Sequence, residues 1–192
     1  VRFEKAAFIT SALLSSEFPK RKLPEIALAG RSNVGKSSLI NTLFQAKKLA
    51  KISSTPGKTQ RINFFLVDDS MYLVDLPGYG YASAPVEEIQ KWSQGIDEYL
   101  NGSETLRLIL LLIDIRRQPC EEDFALAEWA AGKKIPVLAI FTKRDKLSDS
   151  EGEKSMKESL SLLSKVAGAL SFSSRAFHDR RNLIQKINEV LS

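Results

Sequence analysis

The sequence is poor in cysteine: Cys120 is the only one in 192 residues. That excludes an intrachain disulfide, a thiol-rich metal site and a disulfide-stapled scaffold, and it fits a reducing cytosol. Long apolar runs are also missing. The opening VRFEKAAFITSALLSSEFPKRK holds a short apolar stretch broken by Glu4, Lys5, Thr10 and Ser11, too short and too polar to span a membrane. It reads as folded structure, not as an address. The ending INEVLS has no prenylation box and the visible start has no myristoylation pattern, so no lipid anchor is expected.

What is present suits one domain over residues 1–192, with 43% hydrophobic residues and a net charge of +5. The charge is uneven. Residues 1–63 carry twelve Lys and Arg against three Asp and Glu, whereas the remainder carries sixteen against twenty. A basic first third either serves a bound phosphate and solvent or meets an anionic macromolecule; composition leaves both open.

Strand-like and helix-like segments alternate. EIALAG (25–30) reads as a strand and SSLINTLFQ as a helix. NFFLVDD and MYLVDL are two strands joined by a turn at Asp68, Asp69 and Ser70. A polar helix over 86–100, the apolar RLILLLID (107–114), a helix over 121–132 and PVLAIFTK (136–143) follow. A helix over 151–167, the strand ALSFSS and a final helix NLIQKINEVL complete the pattern. Runs such as LILLLI predict parallel strands covered on both faces by helices, and the adjacent strands at 63–75 predict an antiparallel hairpin at one edge. AKKLAKISSTPGKTQR (46–61) has no period and exceeds the usual connection length, which marks it as functional or mobile.

GRSNVGKSS follows a strand and opens a helix. Gly30, Gly35, Lys36 and Ser37 therefore fit G-x-x-x-x-G-K-[ST] in the context that phosphate binding requires, with Arg31, Ser32, Asn33 and Val34 completing the loop. The glycines let backbone N–H groups close around phosphate oxygens at a helix N-terminus. Lys36 is placed for the β- and γ-phosphates, and Ser37 for the accompanying Mg²⁺. In DLPG, Asp75 ends a strand as a metal-side acid should, followed by Leu76 and Pro77, and Gly78 leaves an N–H for the γ-phosphate. Either Thr55 or Thr59 could give Mg²⁺ a second hydroxyl.

TKRD (Thr142, Lys143, Arg144, Asp145) lies at the end of PVLAIF. An aspartate there accepts from guanine N1–H and the exocyclic amino group while the Lys143 stem lies along the base; adenine offers no matching donors. Phe172, Ser173 and Ser174 end the last strand, where a backbone N–H can meet guanine O6.

Together, GRSNVGKS, TPGKTQ with NFF following, DLPGYGYA, TKRD and FSS resemble the EngB/YsxC (YihA) GTP-binding proteins of the translation-factor class, from about Phe3 to the end of the chain. The resemblance implies a Ras-like α/β P-loop G domain: a mostly parallel six-stranded sheet with one antiparallel edge strand and helices on both faces. It implies Mg²⁺-dependent binding of GTP and GDP, weak hydrolysis, assembly of the large ribosomal subunit and a link to cell division, in a cytoplasmic monomer that avoids membranes. Through its TPG-[KR]-T pattern it selects Thr59, beside Ser37, as metal ligand. It adds Gly57, Lys58, Gln60 and Arg61 to the nucleotide site and gives Lys36, Thr59 and Gly78 the catalytic roles. One departure is Arg144, where relatives often carry a small residue; its side chain is expected to point outward.

A Ras-type protein carries a water-orienting Gln after this glycine. Here the residue is Tyr79, whose phenol sits at the far end of its ring, so the expected hydrolysis is slow. Asn33 matches the asparagine that holds K⁺ in potassium-activated relatives; an Asn that merely stabilises the loop reads equally well. Two rivals are a nucleotide-dependent protein-binding switch that does not act on the ribosome and a metabolic kinase. TKRD and the lack of a lid-like segment argue against the kinase.

Overall fold

The computed structural model describes residues 1–46, 49, 50, 61–80 and 86–192. The strands are β1 (Ala6–Ala12), β2 (Glu25–Gly30), β3 (Ile62–Val67), β4 (Met71–Asp75), β5 (Leu106–Asp114), β6 (Val137–Thr142) and β7 (Gly168–Ser171). The helices are α1 (Lys36–Leu43), α2 (Val86–Gly102), α3 (Glu121–Gly132), α4 (Asp149–Leu162) and α5 (Phe177–Leu191). One sheet runs in the order β1, β3, β4, β2, β5, β6, β7. β4, β2, β5, β6 and β7 are parallel, and β3 is antiparallel to both β4 and β1.

The sheet divides the core by simple alternation. Ile26, Leu28, Leu108, Leu110, Leu112, Leu138 and Ile140 face one way, toward Leu39, Ile40 and Leu43 of α1 and Leu183 and Ile187 of α5. Ala27, Ala29, Ile109, Leu111, Ile113, Val137, Ala139 and Phe141 face the other, toward Tyr99 of α2 and Ala127 and Ala130 of α3. Burial on both faces is why these strands read as unbroken apolar runs.

The sheet is mostly parallel with antiparallel pairing at one edge, as expected, but it has seven strands where six were expected. The extra strand is β1, which covers β3 and places the antiparallel strand one position in from the edge. Its sequence, AAFITSA, lacks a clean alternation, and its register shifts between Phe8 and Thr10. The helix expected over 151–167 runs from 149 to 162, and the last one starts at 177 instead of 182.

The segment before β1 is tied down by Asp68 in the β3–β4 turn. Its carboxylate accepts from the backbone N–H groups of Arg2 (3.3 Å), Phe3 (2.9 Å), Glu4 (3.0 Å) and Lys5 (2.9 Å). Arg180 of α5 adds bonds to the carbonyl oxygens of Leu43 (2.7 Å) and Phe3 (3.0 Å). Burial alone would raise the Asp68 pKa, but the four N–H donors outweigh it and hold the carboxyl below its usual range.

Asp68 has φ 47°, a region Asn also tolerates, so Asp68→Asn removes the charge without straining the turn. This substitution is expected to lower stability by about 1–3 kcal/mol at neutral pH, as for charge-assisted hydrogen bonds. Because the folded pKa is depressed, the contribution is present above the unfolded value of roughly 3.9 and is lost as pH falls through the folded one. In urea denaturation the gap between variant and wild type should therefore close below about pH 4.

Candidate functional site

The phosphate loop begins where β2 ends. Gly30 has φ 148°, and a Cβ there would lie 2.5 Å from the Leu112 carbonyl oxygen on β5, so only glycine lets the two strands pair this closely. The chain then turns through Asn33 (φ 60°) and Gly35 (φ 117°), which caps α1 without a side-chain hydrogen bond. The first-turn N–H groups of α1 are thus left for an anion. From below, the loop is pinned by the TKRD strand end. The Thr142 hydroxyl donates to the Val34 carbonyl oxygen (2.7 Å), and the Lys143 ammonium donates to that of Asn33 (2.9 Å). Two motifs more than a hundred residues apart therefore form one surface.

Lys36 opens α1, and Asp75 closes β4 opposite Leu28 of β2. They are only 9% and 4% exposed. Burial pushes the Lys36 pKa down and the Asp75 pKa up, and each partner's charge opposes that drift. Asp75 Oδ1 is buried and finds no hydrogen-bond partner among the described residues. An orphaned carboxylate oxygen near Lys36, which opens α1, fits a hard cation, which takes oxygen donors. These residues are consistent with the Mg²⁺ that accompanies GTP in the family reported below. The other expected metal ligand, Thr59, lies outside the described residues, as do Gly57, Lys58 and Gln60. Arg61 is described and is held against β1, donating to the Ser11 carbonyl oxygen (3.1 Å).

The DLPG segment lies directly on the loop. Leu76 N–H donates to the Leu28 carbonyl oxygen (3.0 Å), and Leu76 and Pro77 are buried. A Cβ on Gly78 would stand 2.9 Å from the backbone N and Cα of Ser32 and 3.2 Å from Lys36 Nζ. Tyr79 bridges to Arg31 and accepts the Ser32 N–H (2.9 Å), while its phenol donates to the carboxylate of Asp123 in the first turn of α3. Asp123 also accepts from the Cys120 N–H (2.8 Å) and thiol (3.2 Å), and burial pushes the Cys120 thiol up to about 12.

At the base end, Asp145 accepts from the Ser173 hydroxyl (2.8 Å), which holds its carboxyl below the usual range. Ser173 is fixed in turn by its N–H bond to Asp179 (2.6 Å). Phe172 is a core residue at 2% exposure, and Ser174 is exposed. Arg144, expected to point outward, instead packs on the start of α4, where it meets Asp149 and the Leu147 carbonyl oxygen and is only 20% exposed.

Sequence reasoning did not single out Asp123 or Asp114. Asp114 ends β5 at 8% exposure and binds Arg116 (2.9 and 2.7 Å) and Lys143 (2.9 Å). Burial would raise its pKa, yet these cations hold it well below the carboxylate range. A charge closing the apolar run LILLLID was its only signal. A cavity of about 80 Å³ bordered by Asn33, Asp114, Gln118, Asp123 and Lys143 lies between the loop and the β5–α3 connection.

A family model described as "50S ribosome-binding GTPase" matches residues 25–143. A probable GTP-binding protein EngB from Caldanaerobacter subterraneus subsp. tengcongensis is 49% identical over 82% of this chain and 81% of its own. The EngB of Pelotomaculum thermopropionicum is 44% identical over 97% and 96%. A crystal structure of a probable GTP-binding protein engB superposes with a TM-score of 0.67 at 25% identity, covering 87% of this chain and 98% of the other. The chain belongs to the EngB GTP-binding proteins of the 50S ribosome-binding GTPase family.

Proposed function

We propose that the chain is a single G domain that hydrolyses GTP slowly with Mg²⁺ and acts, as a cytoplasmic monomer, in assembling the large ribosomal subunit, on which normal cell division depends. The observation that carries the nucleotide part is the convergence of Lys36, Asp75 and Gly78 with Lys143 and Asp145 along one edge of the sheet. The printed description of the matching family and the basic first third of the chain support the ribosomal part.

In hydrolysis, water attacks the γ-phosphorus and the bond to the β–γ bridging oxygen breaks, giving GDP and phosphate. The loop N–H groups and Lys36 take up the charge that develops on the phosphates, Gly78 N–H meets the γ-phosphate, and Ser37, Thr59 and Asp75 would hold Mg²⁺. Mg²⁺, when bound, would supply positive charge that offsets the negative charge of the phosphates. Tyr79 spends its hydroxyl on Asp123, so it has no group with which to orient the water. The intrinsic rate is therefore low, and a further component must complete the site. Asn33, in the exposed left-handed turn of the loop, holds K⁺ in this reading.

Asp145→Asn is expected to weaken GTP binding by roughly ten- to a hundredfold, the loss of one or two charge-assisted bonds, and to improve binding of xanthosine triphosphate. Calorimetry showing equal affinity of the wild type for ATP and GTP would overturn the base assignment. Hydrolysis should run faster in potassium than in sodium in single-turnover assays, and identical rates would return Asn33 to a loop-stabilising role.

For the ribosome, Lys47, Lys48 and Lys51 neighbour the threonine segment in sequence. Replacing all three with Ala should weaken pelleting with purified large subunits and flatten its salt dependence by roughly 0.7 to 0.9 per lost phosphate contact, with GTP affinity almost unchanged. Pelleting like wild type at every salt concentration would remove this segment from the contact.

A further inference from the structure

Tyr79 is anchored at both ends. Its backbone carbonyl oxygen takes the Ser32 N–H of the phosphate loop (2.9 Å), and its hydroxyl donates to Asp123. Its ring packs on the core beneath α2 and α3. Asp123 is 2% exposed, and both its oxygens are used: one by Tyr79, the other by the Cys120 N–H and thiol. A buried carboxylate holding three hydrogen bonds across both oxygens, in the first turn of a helix, is a fixed point and not a swivel. A side chain on Gly78, the residue before Tyr79, would collide with the Ser32 backbone (2.9 Å) and crowd the Lys36 ammonium (3.2 Å), so this stretch of backbone runs close to the loop. Gly78 is joined directly to the anchored Tyr79, which ties its place at the loop to that anchor.

We infer that Asp123 is a positioning residue for the triphosphate: through the Tyr79 hydroxyl it sets the Gly78 N–H over Lys36, and so helps the site to distinguish GTP from GDP. This rests on the nucleotide reading above and goes beyond it in naming α3 as the support of the γ-phosphate contact. Gly78 N–H addresses only the γ-phosphate, which GDP lacks. Loosening the anchor thus costs affinity for the triphosphate alone. The tyrosine at the place of the usual glutamine exchanges a group that could act on water for a strut to a neighbouring helix.

The test measures dissociation constants for GDP and for a non-hydrolysable GTP analogue, with Mg²⁺ and the full chain, alongside thermal melts. Tyr79→Phe keeps the ring and removes only the hydroxyl. It should weaken analogue binding about five- to tenfold and leave GDP within about twofold. Asp123→Ala should shift the ratio equally, and the double variant should shift it no further, because both remove one interaction. Asp123→Asn retains a partner for the phenol whichever way its amide faces; it should keep the wild-type ratio even where Asp123→Ala loses it.

A purely structural bond would lower the melting temperature and both affinities together. An unmoved or increased preference for the triphosphate in Tyr79→Phe, or additive effects in the double variant, would overturn the inference while leaving GTP binding intact. A wild-type protein that bound neither guanine nucleotide would overturn the nucleotide reading, and this inference with it.

Discussion

Parallel pairing outward from β2 brings the carboxyl ends of five strands to one edge of the sheet, and the candidate site hangs from that edge. Gly30, Asp75, Asp114 and Thr142 are each the last residue of a strand. Asp114 and Thr142 are direct partners and the other ends are stepped by two residues from strand to strand, so a loop from one can be braced by a side chain from another, as Thr142 braces Val34. This is the general position of ligand sites in open α/β sheets. The sheet also explains how Lys36 and Asp75 come to be buried together without hydrophobic neighbours being lost. Each sits at the rim of an apolar strand or helix whose other positions fill the core.

Few buried polar atoms are left over. Among the described residues, Asp75 Oδ1 and the Ser159 hydroxyl are the buried side-chain atoms without a partner. The first lies in the candidate site and the second in α4. An unmet carboxylate oxygen beside a buried ammonium is costly to keep. Its place at the loop is the kind of local cost that a binding site carries and that a ligand or metal would relieve.

The parts of the fold legible in the sequence were those imposed by local chemistry. The phosphate loop declares itself because close backbone approach admits only glycine at Gly30, and the strands of the parallel core declare themselves by being apolar on both faces. The start of α4 was also written locally, in a Ser148–Glu151 capping box that the reading from residue 151 passed over. β1 was hidden because it is an edge strand with Phe8 53% exposed and Ile9 44% exposed; half-buried edges leave a weak alternation. Within the site, the bond from Tyr79 to Asp123 was illegible for a different reason. It joins residues 44 positions apart, and nothing near either one announces the other. The packing of Arg144 on α4 was not legible, because it depended on where that helix begins.

Cys120 is half-buried in the turn beside Asp123, and desolvation pushes its thiol pKa up to about 12. At neutral pH this disfavours the thiolate, the form that reacts with electrophiles and oxidants. The sole sulfhydryl of the chain is thus partly reachable by solvent yet held as the thiol, so its exposure alone does not make it a reactive one.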